Sequence, residues 1–348
     1  MFLHAIATAN PGPSLTQGEC LALARESSDL AERLDRRSRL MLSTILRGDS
    51  GIDRRHFAVR DLGKLFSLDA DALNEEFRQT APSLAVQALA PAMEQAKIRS
   101  SDLDALVVCT CTGYLCPGLS SYIAEAMGLR SDAWLQDLVG LGCGAAIPAL
   151  RAVGGVLAAN PEANVGCIAV EVCSAAFFLD NDPGVIISAC LFADGAAATI
   201  WKAQPGGMGL RCHSFDTHHD PRSRDHIRFE QREGKLRNLL HPSVPALAAD
   251  AVKLLHERAT KDGGRPIGRI LCHAGGKDVL SALEEKFPEY DFTIPREILR
   301  RHGNMSSPSV LFALAEAMRL DHPCQSEDWW LASFGAGFSA HSCRMSAA

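Results

Sequence analysis

The sequence predicts a layered α/β protein made of two similar halves, and three features point there. Apolar strand-like runs alternate with helical segments, the runs end in small residues, and after Gln204-Pro205-Gly206-Gly207 the same order begins again. Such strands imply parallel sheets covered by helices on both faces. The glycine-rich stretch divides the chain into residues 1–205 and 206–348.

The elements follow in order. Residues 14–47 carry helical spacing with many charges. Residues 105–112 (ALVVCTCT) form a buried strand followed by Gly113, and 119–129 a helix closed by Gly128. Residues 145–159 are helical in composition, with Pro148 tolerable only in the first turn. Residues 165–172 are another buried strand, and 185–190 and 196–201 flank a turn at Asp194-Gly195. Beyond the division, 245–259 reads as a helix, 269–273 as a strand, and 278–287 and 308–319 as helices. Residues 329–337 are a strand running into a glycine turn.

Composition narrows the function. The 348 residues are 47% hydrophobic with 28 glycines, as in a well-buried α/β protein. A net charge of -6 argues against nucleic acid as a main partner. No apolar run approaches a membrane span, and residues 1–13 lack the basic start of a secretory signal. The 12 cysteines are scattered, and Cys109, Cys167, Cys190 and Cys272 sit in apolar runs as small core residues, so a reducing cytoplasm is expected. No Cys-x-x-Cys pair occurs, and no metal is expected. His213, His218, His219, Asp220 and His226 could be read as metal ligands, but their segment, rich in Asp, Arg and Pro, reads as a solvated loop.

Three residues carry candidate chemistry. Cys143 lies in Leu141-Gly142-Cys143-Gly144-Ala145-Ala146, whose small neighbours allow a sharp turn into a helix. The helix N-terminus favours a thiolate there. Taken alone, Cys143 reads equally as a nucleophile or a buried structural cysteine. His273 ends a strand and precedes Ala274-Gly275-Gly276, where a ligand can approach the backbone. Asn304, in Gly303-Asn304-Met305-Ser306-Ser307, fits an active-site or a simple turn asparagine.

Together, Cys, then His, then Gly-Asn resembles the type III polyketide synthases, the chalcone and stilbene synthase family. The resemblance covers almost the whole chain. It includes Ile6-Ala7-Thr8-Ala9-Asn10-Pro11, Cys111-Thr112-Gly113 with Pro117-Gly118, Leu191-Phe192-Ala193-Asp194-Gly195-Ala196, the Gly303–Ser307 motif with Val310-Leu311-Phe312, and Ser333-Phe334-Gly335-Ala336-Gly337-Phe338. It implies a thiolase-like fold of duplicated α/β/α/β/α halves in a homodimer, with the loop at 111–117 reaching across the interface. It implies decarboxylative condensation of malonyl-CoA onto an acyl-CoA starter held on Cys143, then cyclisation to a small pyrone or resorcinol-type product. His273 and Asn304 complete the triad as donors to an enolate, the thiolate pairs with an imidazolium, and no metal or redox cofactor takes part. Phe192 carries over as the gatekeeping aromatic, and Gly275, Gly276 and Ser306 fall within substrate reach.

Departures from the family pattern set further expectations. Its second gatekeeping phenylalanine falls at Asn238. Cavity positions fall at Cys116, Cys173 and Ala176, which are smaller or less polar, and a cavity glycine falls at Phe229, which is bulkier. The three small residues imply a widened apolar wall and a medium- or long-chain acyl starter giving alkylpyrones or alkylresorcinols; Phe229 cuts the other way. Arg47, with Arg36, Arg37 and Arg39, is the candidate for the CoA phosphates, against a solvated helix face. The alternatives are a single-condensation initiating ketoacyl carrier-protein synthase and a non-catalytic homologue.

Overall fold

A computed structural model describes residues 1–261, 264–321 and 324–348. The first half runs β1 (Phe2–Ala9), β2 (Ser14–Thr16), α1 (Gln17–Glu26), α2 (Ser28–Arg33), α3 (Arg36–Arg47), β3 (Arg54–His56), α4 (Ala70–Gln95), β4 (Ala105–Cys109), α5 (Leu119–Met127), β5 (Trp134–Leu138), α6 (Ala146–Ala159), β6 (Val165–Glu171), α7 (Pro183–Leu191) and β7 (Gly195–Lys202). The second runs β8 (Leu210–His219), β9 (Ile227–Arg232), β10 (Lys235–Leu240), α8 (Val244–Lys261), β11 (Ile267–Cys272), α9 (Lys277–Lys286), α10 (Thr293–His302), α11 (Ser309–Leu320), β12 (Asp328–Gly335) and β13 (Ser339–Ala347).

The sheet is mixed, which corrects the expectation of parallel sheets. Its order is β11-β12-β13-β8-β1-β7-β6-β4-β5 among the described residues. Outward from the β1–β8 contact, β1-β7-β6-β4 and β8-β13-β12-β11 repeat one pattern, two antiparallel pairings and then a parallel one. The duplication lies in topology. α6 packs on β4 and β6 of one half and on β12 and β13 of the other, while α11 packs on β1 and on β11 and β12. α4 covers the outer face of the first half, against β1, β7 and β6, and α8 that of the second, against β8, β12 and β13. The layers therefore alternate α/β/α/β/α, with α6 and α11 in the middle.

One helix has no counterpart among the sequence expectations, and two segments depart from them. α4 spans 26 residues despite Pro82 and Pro91 in its interior. Its buried stripe of Leu73, Phe77, Ala81, Leu84, Ala85, Ala88, Leu89 and Ala92 keeps helical spacing, and packing against the sheet offsets the hydrogen bonds that proline cannot donate. The expected loop around His213–Asp220 is largely β8, paired with β13 over most of its length. His219 bonds Gly337 O and His226 bonds Ser223 O, and no group of three or more metal-ligating side chains occurs among the described residues. The stretch 204–207 is a turn pinned to the body, Gln204 bonding Pro161 O and Glu162, with His4 on its carbonyl.

The central helices set the site. Cys143 sits in a tight turn just before α6, Asn304 just before α11, and His273 directly follows β11. The Cys143 turn needs Gly142 at φ +58 and rests on the end of β12. A Cβ at Gly335 would lie 2.6 Å from Gly144 N and 2.9 Å from Cys143 N, so no side chain fits there. Gly335→Ala is expected to destabilise the protein by about 1–3 kcal/mol, as overpacking does, and to displace Cys143. Urea unfolding checks this; an unchanged midpoint would contradict the packing argument.

Candidate active site

Cys143, His273 and Asn304 border one cavity of about 520 Å3, together with Phe192, Gly275 and Gly276. All three are buried, at 6%, 1% and 3% exposure. Asn304 is held at both ends: its Oδ1 accepts from Ser306 N–H at 2.8 Å, and its Nδ2 donates to Gly275 O at 2.9 Å. One amide N–H is thereby left for a ligand, in an orientation the backbone fixes. The His273 ring stands edge-on to Phe334 at 5.2 Å, and its Nδ1 is buried without a hydrogen-bond partner.

Cys143 Sγ accepts a hydrogen bond from Ser306 Oγ at 3.2 Å, and Cys111 Sγ lies 3.3 Å from the same oxygen. Ser306, at φ +59, is turned toward the thiol by its backbone. Behind it stands Glu171, with no exposed surface. Glu171 Oε2 accepts from Thr110 Oγ1, Cys111 N, Thr112 N and Thr112 Oγ1 at 2.9–3.2 Å, and Oε1 from Ser307 Oγ at 2.6 Å. A carboxylate in an apolar strand signals such a hub, and Glu171 within VGCIAVEV is the sign in the sequence that the candidate residues above left out.

Electrostatics differ from the expected thiolate–imidazolium pair. Burial pushes the Cys143 thiol up to about 12 and the His273 imidazole down to about 3. The Ser306 hydroxyl and the first turn of α6 pull the thiol the other way. No hydrogen bond joins His273 to Cys143 among the described residues. Burial thus favours the neutral form of both groups, which border the same cavity, and the thiol already has one donor.

The other expected positions separate into groups. Cys173, Ala176, Phe229, Asn238, Phe192 and Ser306 do converge, on a small pocket of about 20 Å3. Phe177, Phe178 and Phe229 border the same pocket as the small Cys173 and Ala176. Cys116 is exposed and borders neither this pocket nor the inner cavity, because the loop after β4 turns outward. Arg47 is exposed in the last turn of α3, beside Thr44 and Gly48, which do line the inner cavity. Arg36, Arg37 and Arg39 lie exposed at the far end of α3. Lys277, unforeseen, also borders the cavity, with Nζ 2.5 Å from Asp49 Oδ2. Arg55 was missed too: it is buried and donates to Phe192 O and Ala189 O, holding the loop that carries Phe192.

Known proteins resemble this chain in sequence and shape. The family model described as FAE1/Type III polyketide synthase-like protein matches residues 24–207. The 3,5-dihydroxyphenylacetyl-CoA synthase of Amycolatopsis orientalis is 30% identical over 277 residues, 76% of this chain and 75% of the relative. The 1,3,6,8-tetrahydroxynaphthalene synthase of Streptomyces coelicolor is 28% identical over 335 residues, 94% of this chain and 89% of the relative. The crystal structure of the Streptomyces coelicolor A3(2) tetrahydroxynaphthalene synthase matches with a TM-score of 0.85 at 25% identity, covering 99% of each chain. PKS-I of the brown alga Ectocarpus siliculosus shares the fold, with a TM-score of 0.89 at 23% identity over 99% of this chain and 98% of its own. With a cysteine, a histidine and an asparagine facing one cavity from the two central helices and a strand end, the chain belongs to the FAE1/type III polyketide synthase-like family.

Proposed function

We propose that this chain performs decarboxylative Claisen condensation of malonyl-CoA onto an acyl group carried by Cys143, followed by cyclisation to a small aromatic or pyrone product. The observation that carries the reading is that Cys143, His273 and Asn304 border one cavity large enough for a thioester arm. His273, kept neutral by burial, takes the thiol proton as Cys143 attacks the acyl thioester, and CoA leaves as a thiol. Loss of carbon dioxide from malonyl-CoA then leaves an enolate. The free N–H of Asn304 and a His273 N–H donate to its oxygen, and its carbon attacks the acyl group, releasing the Cys143 sulfur for the next round. No step calls on a metal or redox cofactor.

The small volume of the pocket at Cys173 and Ala176, bordered by Phe177, Phe178 and Phe229, favours a small starter over the long alkyl chain expected from those two residues. The named products of the two bacterial relatives, both small aromatics, agree with that choice. Lys277, on the inner cavity, and exposed Arg47, next to cavity-lining Gly48, are the groups proposed for the CoA phosphates. Division into halves at 205/206 and assembly as a homodimer belong to the same reading. The edge strand β5, with Trp134 at 50% exposure, offers an unpaired ladder for a second copy, and sedimentation at a single subunit mass would remove the dimer.

Three variants test the chemistry. Cys143→Ala is expected to abolish condensation. Asn304→Ala should slow malonyl-CoA decarboxylation by the equivalent of about 2–4 kcal/mol, as for a lost oxyanion donor, while acyl transfer to Cys143 persists. Ser306→Ala removes the donor that favours the thiolate, so the thiol gives up its proton less readily. Alkylation by iodoacetamide at fixed pH should then slow roughly tenfold, the effect of losing about 1.4 kcal/mol of thiolate stabilisation. Normal condensation by Cys143→Ala would reject the mechanism outright. Starter choice is read from kcat/KM across acyl-CoA lengths, expected to fall beyond short chains; a steady rise with length would reinstate the aliphatic reading.

A further inference from the structure

Helix α3 departs from the way this chain treats the arginines of other helices. There an arginine takes a carboxylate three residues away: Arg78 with Glu75, Arg300 with Glu297 and Arg319 with Glu316. α3 holds Arg36, Arg37, Arg39 and Arg47 and no acidic residue. All four are exposed, and none forms an ion pair among the described residues. Arg39 alone is tied down, its Nη1 donating to Ala31 O at 2.6 Å. Asp29 and Glu32 on α2 stand against Arg33, and Asp35 at the N-cap is taken up by Ser38 N–H at 2.7 Å. Positive charge is therefore in excess here, on a chain whose net charge is -6.

The charges are arranged on one outward face. Arg36, Leu40, Thr44 and Arg47 follow at helical spacing and share a stripe, with Arg37 and Arg39 on its two sides. Leu40, at 68% exposure, is an apolar side chain in the middle of it. The stripe leads to the cavity that holds Cys143: Thr44 lines that cavity, with Met41, Ile45 and Gly48. The cavity reaches solvent at this end, where the exposed Thr44, Gly48, Asp49 and His241 border it. From Arg36 to Gly48 the helix runs roughly 18 Å, at about 1.5 Å per residue.

The length of this face decides what it suits. The phosphates of a free CoA are answered near the mouth, by Lys277 and Arg47 in the reading above. Arg36, Arg37 and Arg39 lie two to three turns farther along α3 and are left over. One exposed leucine is too little apolar surface to hold a helix on a bilayer. A row of unpaired guanidinium groups around a single apolar side chain is complementary to an acidic helix of another protein. Beside the entrance to Cys143, such a protein is placed to bring the thioester itself. We propose that the outward face of α3 docks a small acidic carrier protein that delivers the acyl starter on a phosphopantetheine arm. This rests on the condensing function proposed above. In the transfer, the carrier's thioester C–S bond breaks as the Cys143 sulfur bonds the acyl carbon, and the arm leaves as a thiol bearing the Cys143 proton. Malonyl-CoA remains the extender.

The test is the rate of Cys143 acylation, followed by intact-protein mass spectrometry, from two donors of one acyl group: butyryl acyl carrier protein of fatty-acid synthesis and butyryl-CoA. The native protein is compared with the triple variant Arg36→Glu, Arg37→Glu, Arg39→Glu. The reversal should lower kcat/KM for the carrier by about tenfold or more, the scale of lost electrostatic steering, and leave the rate from butyryl-CoA unchanged. Added salt should slow the native protein's reaction with the carrier, because exposed charges are screened. Should the triple reversal fail to fold, Arg36→Gln with Arg37→Gln is the milder change and should show the same selectivity. Equal carrier rates in the native protein and a folded variant would overturn the docking face while butyryl-CoA still acylates Cys143. A folded variant that loses both donors equally would place the arginines in CoA binding and overturn it too. So would arginine-dependent sedimentation of the protein with phosphatidylglycerol vesicles and no reaction with the carrier, which would assign the face to a lipid surface. Acylation of Cys143 by neither donor would overturn the condensing function as well.

Discussion

The buried carboxylate of Glu171 is the constraint around which the site is built. With no exposed surface, its charge has to be answered inside the protein. The answer comes from both halves: Thr110, Cys111 and Thr112 from the end of β4, and Ser307 from the start of α11. That requirement clamps the β4 loop to the turn that carries Asn304 and Ser306. Ser306 is then held with its hydroxyl on the Cys143 sulfur. Burial also raises the Glu171 carboxyl above its ordinary range, so each donor on it matters to keeping the anion.

The duplicated layers explain why three chemically different residues meet. Cys143 and Asn304 occupy matching places, each just ahead of a central helix, and the two helices are sandwiched between the same pair of sheet halves. Their N-termini therefore open on one cavity, and the end of β11 brings His273 to its wall. The positive ends of two helices favour negative charge there, first on sulfur and then on an enolate oxygen.

Much of this was legible in the sequence. Strands β4, β6 and β11 showed as apolar runs, and the glycine turns at Cys143, His273 and Asn304 marked strand and helix ends. The hidden parts have physical reasons. Pro82 and Pro91 masked a helix whose stability comes from burial, and the polar side chains of β8 disguised a strand as a loop. Strand direction leaves no local trace, so the mixed sheet could not be read from buried runs. The volume beside Cys173 and Ala176 depends on Phe177 and Phe178, which come from the same turn, and on Phe229, which comes from a separate hairpin. Position-by-position comparison of small residues could not foresee those neighbours.

Acyl transfer to one named sulfur is the step on which everything else rests. The direct measurement is intact-protein and peptide mass spectrometry after brief exposure to a short-chain acyl-CoA, without malonyl-CoA. The account predicts one acyl group added per chain, on the peptide containing Cys143, with an equivalent of free CoA released. Acylation confined to Cys116 or Cys324, the exposed thiols, with Cys143 unmodified, would contradict it.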